Sequence, residues 1–133
     1  MTPTDVRVAI AVVEQDGRFL VGRRSKGTDL AGHAEFPGGK IQHGESASQA
    51  ARRECLEETG LSVVIVRQLE TVSYRYDYGE LELEFFLCRT ELDDCTPHAP
   101  FRWVDRSELA SLNFPDANSS VVQYLTTSAN RLP

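Results

Sequence analysis

The sequence predicts an α/β fold, a sandwich around a central mixed sheet, on three observations. Residues 6–13 are dense in β-branched side chains, the composition of a strand. Residues 46–59 hold good helix formers and neither proline nor glycine. Beyond that stretch, Leu81, Leu83, Phe85 and Leu87 alternate with Glu80, Glu82, Glu84 and Phe86, the period of a strand with one apolar and one largely acidic face. Strands before and after a central helix bury their apolar faces by stacking in layers.

The first strand runs into Gln15-Asp16-Gly17 and then the apolar Phe19-Leu20-Val21, which reads as a β-hairpin. Residues 23–33 carry Gly, Ser, Thr and Asp and read as a loop. Phe36-Pro37-Gly38-Gly39-Lys40 then interrupts regular structure. Ser46 is placed to cap the helix, with Gln49 three residues on to close a capping box, and Gly60 stands where a left-handed C-cap belongs. Residues 61–69 form a further strand that continues, past a bend, through residues 71–76 to a turn at Tyr78-Gly79. Residues 91–100, with two prolines and several acidic side chains, form a surface loop. A short strand at 101–104, a short helix at 107–112, a turn at 114–118 and a last helix at 119–126 complete the chain.

The size, 133 residues, suits a single domain spanning residues 1–133. With 41% hydrophobic and 26% charged residues, the composition is that of a soluble globular protein. The net charge of −6 excludes non-specific binding to duplex nucleic acid, which rests on Lys and Arg neutralising phosphates. It leaves room for a small phosphorylated substrate, since bound divalent cations reverse the local charge. Cys55, Cys88 and Cys95 are odd in number and contain no CxxC pair, so neither a disulfide framework nor a zinc site is expected. The early apolar run is too short for a membrane span or a signal segment. A cytoplasmic monomer or homodimer with no membrane partner is the expectation.

The chemistry concentrates on the central helix. Glu54, Glu57 and Glu58 stand at i, i+3 and i+4 and so project from one face. Like charges at that spacing cost about 0.2–0.5 kcal/mol per pair, and glutamates near a helix C-terminus oppose its dipole. A solvated acidic face, relieved by Arg53, is one explanation. A set of hard oxygen ligands for Mg²⁺ or Mn²⁺ is the other.

The surrounding residues decide between them. Gly39, five residues, Glu45, seven residues, then Arg53-Glu54-Cys55-Leu56-Glu57-Glu58-Thr59-Gly60-Leu61 meet every defined position of the Nudix box, with Cys55 at a site usually filled by a larger aliphatic. The chain therefore resembles the Nudix hydrolases, and the resemblance implies a Nudix-type α/β/α sandwich and an Mg²⁺- or Mn²⁺-dependent hydrolase of nucleoside diphosphate-type bonds. It implies that Glu54, Glu57 and Glu58 bind the cations together with the carbonyl of Gly39. Arg53 would hold Glu57, Glu45 would support the loop–helix geometry, and Glu54 is favoured as the group that activates water.

Over nearly the whole chain the likeness is to the MutT branch, through Arg23-Arg24, Glu35-Phe36-Pro37-Gly38-Gly39-Lys40-Ile41 and Asn113-Phe114-Pro115-Asp116-Ala117-Asn118. It implies hydrolysis of a (d)NTP to (d)NMP and pyrophosphate, with an oxidised purine nucleotide such as 8-oxo-dGTP preferred. Asn118 would read the purine edge, since its amide offers both a donor and an acceptor. Phe36 would wall the base pocket, Arg23 would contact phosphate or sugar, and Lys40 a phosphate. Each has a plainer reading: Phe36 as core, Arg23 and Lys40 as surface charges, Asn118 as a helix N-cap. Glu91, Asp93, Asp94 and His98 are the candidates for a catalytic group on the 91–100 loop. Trp103 reads as a core anchor.

Related Nudix enzymes hydrolyse pyrimidine triphosphates or other nucleoside diphosphate derivatives, and Tyr74, Tyr76 and Tyr78 resemble the downstream tyrosines of the dinucleoside polyphosphate hydrolases. A non-catalytic Nudix nucleotide-binding module is a reading from a different class. The intact box carboxylates speak against it.

Overall fold

A computed structural model describes residues 5–27, 30–77, 79–93 and 95–127, the side chain of Tyr76 apart. Tyr78 and Asp94 lie outside the described residues. Strand β1 (Val6–Gln15) turns at Asp16-Gly17 into β2 (Arg18–Arg23), both turn residues having positive φ (53° and 80°). That backbone matches the twist of a two-residue hairpin, which is why Asp-Gly serves here. Two short strands follow, β3 (Ala34–Glu35) and β4 (Gly38–Lys40). Helix α1 (Ala47–Thr59) separates them from β5 (Val63–Tyr76), β6 (Gly79–Thr90) and β7 (Arg102–Asp105). The chain ends in α2 (Arg106–Leu109), a 3-10 turn (Asp116–Asn118) and α3 (Ser119–Thr126).

Among the described residues the strands form a seven-stranded sheet in the order β3-β2-β1-β6-β5, with β4 paired to β1 and β7 to β2. β1 and β6 run parallel and the other pairings are antiparallel, so the sheet is mixed. Its two faces carry separate halves of the core. On one, Ala9, Ala11 and Val13 of β1 meet Phe86 and Cys88 of β6 under Ala50, Ala51 and Cys55 of α1. On the other, Ile10 and Val12 with Leu83 and Phe85 pack beneath Leu109, Val121 and Leu125 of α2 and α3. Helices on both faces give the expected α/β/α sandwich. Cys55 and Cys88 are buried and all three cysteines are free thiols.

Helix α1 forms as its sequence dictates. The Ser46 hydroxyl accepts from Gln49 N at 3.1 Å, and the Gln49 side chain accepts from Ser46 N at 2.8 Å. Gly60 closes the helix in the left-handed region at φ 79°. Three expectations need correction. Residues 38–40 form a strand rather than an interruption, because Gly38, Gly39 and Lys40 pair with Ile10, Ala9 and Val8 of β1. The short helix after β7 ends at Leu109 rather than 112. The segment before α3 is a 3-10 turn in which Asn118 is not a side-chain cap.

Candidate active site

The β4–α1 junction brings the box residues together. Gly38 and Gly39 run along β1, and α1 packs on the same face of the sheet. A side chain at Gly39 would collide with the carboxylate of Glu54, whose farther oxygen, Oε1, stands 2.8 Å from where the Cβ would be. The Glu54 carboxylate is therefore seated on the bare backbone of Gly39. Glu58 accepts from the amide of Gly38 at 3.1 Å. Two successive glycines thus anchor two of the three glutamates one helical turn apart.

Arg53 organises the rest. Its Nε and Nη2 form a bidentate pair with Glu45 at 2.6 and 3.0 Å. Nη1 donates to Glu54 at 3.2 Å and Glu57 at 3.1 Å, and Nη2 also donates to the carbonyl of Lys40 at 3.1 Å. Five contacts match the five N–H groups of a guanidinium, a set that the three donors of a lysine cannot reproduce. The resemblance assigned Arg53 to Glu57; the structure makes Glu45 its main partner and Arg53 the link between helix, loop and β4. The hydrogen bonds from Arg53 and from the Gln42 amide hold the Glu45 carboxyl below the usual range, and Glu45 in turn raises the guanidinium.

The three glutamates are not equivalent. The Glu54 side chain is 17% exposed and Glu57 58%, so Glu54 points inward and Glu57 to solvent. Glu58 is an exposed residue whose carboxylate is held against β4 by the Gly38 amide. Desolvation there, with the charges of Glu54, Glu35 and Glu57, pushes this carboxyl up to about 7 despite the Gly38 hydrogen bond. Among the described residues no three carboxylate, imidazole or thiol groups converge on one point to enclose an ion by themselves. The donor set still fits a hard divalent cation. It offers carboxylate oxygens beside a glycine cradle that a Cβ would fill, and an excess of negative charge that raises the carboxyl of Glu58.

Strand parity sorts the remaining candidates. Arg23 pairs with Ala34, on the face that carries Phe36. Gly22 pairs with Glu35, on the α1 face. Arg23 and Arg24 therefore belong to opposite faces of the sheet, and Arg24 reaches Glu35 at 3.5 Å. Desolvation raises the Glu35 carboxyl, partly offset by Arg24, and its charge is felt by Glu58. Glu35 and Arg24 stood in the sequence motif without assigned roles; the period of two along β2 and β3 is the signal that separates them from Arg23. Lys40 is exposed and enters the Arg53 network through its carbonyl.

On the opposite face Phe36 is 5% exposed and stacks on Phe114 with ring centroids 4.8 Å apart. Asn118 is 9% exposed, yet its side chain makes no cap bond to α3, and its amide donates only weakly to the Pro115 carbonyl, at 3.4 Å. The N-cap reading of Asn118 is thus not realised. Of the loop candidates, Glu91 pairs with Arg52 on α1, next to Arg53 in the box, and Asp93 accepts from Gln15. His98 donates its backbone N–H to the Thr59 carbonyl at 2.8 Å and lays its ring over Gly60, at the end of α1. Trp103 is partly buried against the core and donates to the carbonyl of Cys95.

The Nudix domain family matches residues 3–125. The chain belongs to the Nudix family. An 8-oxo-dGTP diphosphatase of Haemophilus influenzae is 28% identical over 128 residues, covering 90% of each chain. One from Escherichia coli is 29% identical over 123 residues, covering 90% of this chain and 95% of the relative. The solution structure of MutT, a Nudix hydrolase from Staphylococcus aureus, superposes with a TM-score of 0.76 at 28% identity, covering 95% of this chain and 98% of that one. The Nudix box spans β4, the following loop and α1, the segment that Arg53 ties together through Glu45, Glu54 and Glu57. Among the described residues no helix is long and apolar enough to cross a membrane.

Proposed function

We propose that this Nudix hydrolase converts a nucleoside triphosphate and water to the monophosphate and pyrophosphate, with oxidised purine nucleotides such as 8-oxo-dGTP as its preferred class. The observation that carries the reading is the presence of two arrangements on opposite faces of the sheet. One is the carboxylate group seated on Gly38 and Gly39. The other is a buried, nearly uncommitted amide, Asn118, beside the Phe36–Phe114 stack.

Glu54, Glu57 and Glu58, with the carbonyl of Gly39, are the groups that would hold Mg²⁺, with Mn²⁺ as a substitute. A divalent cation supplies charge neutralisation for phosphoryl oxygens and lowers the pKa of water in its shell. The chain's own residues do the positioning. Glu54, inward and pinned by Arg53, takes the proton of the attacking water. That water attacks the β-phosphorus, the bond from β-phosphorus to the bridging oxygen breaks, and the monophosphate leaves with that oxygen. Arg24 and Lys40 neutralise polyphosphate charge on the carboxylate side, and Arg23 serves the nucleoside end on the Phe36 face. Asn118 reads the O6/N7 edge of the base, which Phe36 walls.

The test is hydrolysis of a triphosphate in isotopically labelled water with both products analysed by mass. Label in pyrophosphate is expected. Release of inorganic phosphate, or label in the monophosphate, would overturn attack at the β-phosphorus.

A further inference from the structure

Strand β5 departs from regular pairing twice, between Ile65 and Arg67 and again between Gln68 and Glu70. Each departure is a β-bulge, a device that re-aims side chains along one strand. Before the first, Ile65 pairs with Cys88 on the α1 face of the sheet. After it Arg67 pairs with Leu87, and after the second Glu70 pairs with Phe85, whose side chain lies on the α3 face. A regular strand would put Arg67 on the same side as Ile65. The first bulge turns it to the α3 side, and the second brings the strand back so that Glu70 and Val72 also face α3.

Both re-aimed charges end on α3. Arg67 Nη2 donates to the Tyr124 hydroxyl at 2.5 Å, and the Ser120 hydroxyl donates to Glu70 Oε1 at 2.5 Å. Ser120 and Tyr124 are one turn apart, so two consecutive turns of the helix are tied laterally to the sheet edge. Ser120 also stands two residues after Asn118. An eight-residue helix is too short to hold its own first turn, and a side-chain cap usually does so. Here the residue in the cap position makes no cap bond. A carboxylate beside the first turn, as Glu70 is, favours the helix dipole and compensates for the missing cap.

We propose that the Glu70–Ser120 and Arg67–Tyr124 bonds are a positioning device for Asn118, allowing its amide to stay uncommitted for the base. These four are positioning residues for base selectivity, with no part in bond cleavage. The inference rests on the base-reading role of Asn118 given above.

The experiment compares the ratio of kcat/KM for 8-oxo-dGTP over dGTP in the parent protein and in Ser120→Ala, Ser120→Thr, Glu70→Gln, Tyr124→Phe, Asn118→Ala and the double variant S120A/N118A. Losing the hydrogen bond to Glu70 should lower the ratio in S120A by up to about tenfold, while kcat for dGTP stays within about twofold. S120T keeps the hydroxyl and should restore the ratio, and S120A/N118A should fall no further than N118A alone, because both changes act through one group. Y124F, nearly isosteric, gives the same direction with the fold least disturbed. E70Q keeps an oxygen acceptor for Ser120 and removes only the charge beside the first turn, so it gives the same direction more weakly. Melting curves show which variants are folded. An unchanged ratio in folded S120A, E70Q and Y124F, with the ratio lost in N118A, overturns the positioning device and leaves Asn118 its role. An unchanged ratio in N118A overturns the base-reading role and the device with it.

Discussion

Substituting the adjacent glycines separates what the box does for the fold from what it does for chemistry. In Gly39→Ala the new Cβ meets the far end of the Glu54 side chain, and both carboxylate oxygens lie within 2.8 Å of it. That end can swing away, but the carboxylate must leave its seat by about 1 Å, a misplacement that costs on the order of 10²-fold in turnover. Stability changes little, because about 0.4–1 kcal/mol gained by restricting the unfolded chain offsets a weakened contact to Arg53. In Gly38→Ala the Cβ instead meets backbone, the Ala9 carbonyl at 2.5 Å and Ile10 Cα at 2.9 Å. Strands β1 and β4 would have to separate, at a cost of about 1–3 kcal/mol. Calorimetric melting and steady-state hydrolysis with a titration of Mg²⁺ are the assays. Gly39→Ala should melt within about 4 °C of the parent with kcat down about a hundredfold, and Gly38→Ala should melt clearly lower. Full turnover in Gly39→Ala, or a melting loss as large as that of Gly38→Ala, would refute the seat.

Arg53→Ala removes all five guanidinium contacts and should lower kcat by about 10²-fold or more, with a melting loss of about 3–6 °C; Arg53→Lys should recover little of either, and recovery by lysine would show that charge alone matters. Asn118→Ala should reduce the preference for 8-oxo-dGTP over dGTP by about ten- to a hundredfold with little change in kcat for dGTP, measured as a ratio of kcat/KM values. The Glu58 carboxyl is raised from its usual range to about 7 by desolvation and neighbouring carboxylates. A raised folded-state value means its contribution to stability is whole below the ordinary carboxylate range and is lost as pH rises through about 7. The metal-free protein should therefore melt lower at pH 8 than at pH 5, Glu58→Gln should flatten that slope, and saturating Mg²⁺ should do so in the parent. An equal slope in Glu58→Gln would remove the role given to this group.

Locally encoded features were readable in advance. The Ser46–Gln49 capping box, the Gly60 C-cap and the Asp16-Gly17 turn are each written within a few residues, and each forms as expected. The glutamate face of α1 follows from helical spacing alone, as does its proximity to Arg53. What depends on pairing between distant segments was not readable. The strand at 38–40 exists because β1 offers Val8, Ala9 and Ile10 as partners, and nothing in Gly-Gly-Lys announces that. The bend expected near residue 70 is the second bulge of β5; the first, which turns Arg67 toward α3, left no mark in the apolar pattern. Glu45 was read as support for the loop, but its bidentate hold on Arg53 depends on how the 40–46 segment folds back over α1. The division of Arg23 from Arg24 was available from strand parity and awaited only the pairing with Ala34 and Glu35.

The most direct test of the account is kcat/KM with Mg²⁺ across 8-oxo-dGTP, dGTP, dCTP, CTP, ADP-ribose and a dinucleoside polyphosphate, with both products identified. The account predicts a clear advantage for 8-oxo-dGTP, pyrophosphate as the second product and no turnover after chelation. Preference for a pyrimidine triphosphate or a dinucleoside polyphosphate would contradict the role of Asn118, and absence of turnover on every substrate would contradict the catalytic reading itself.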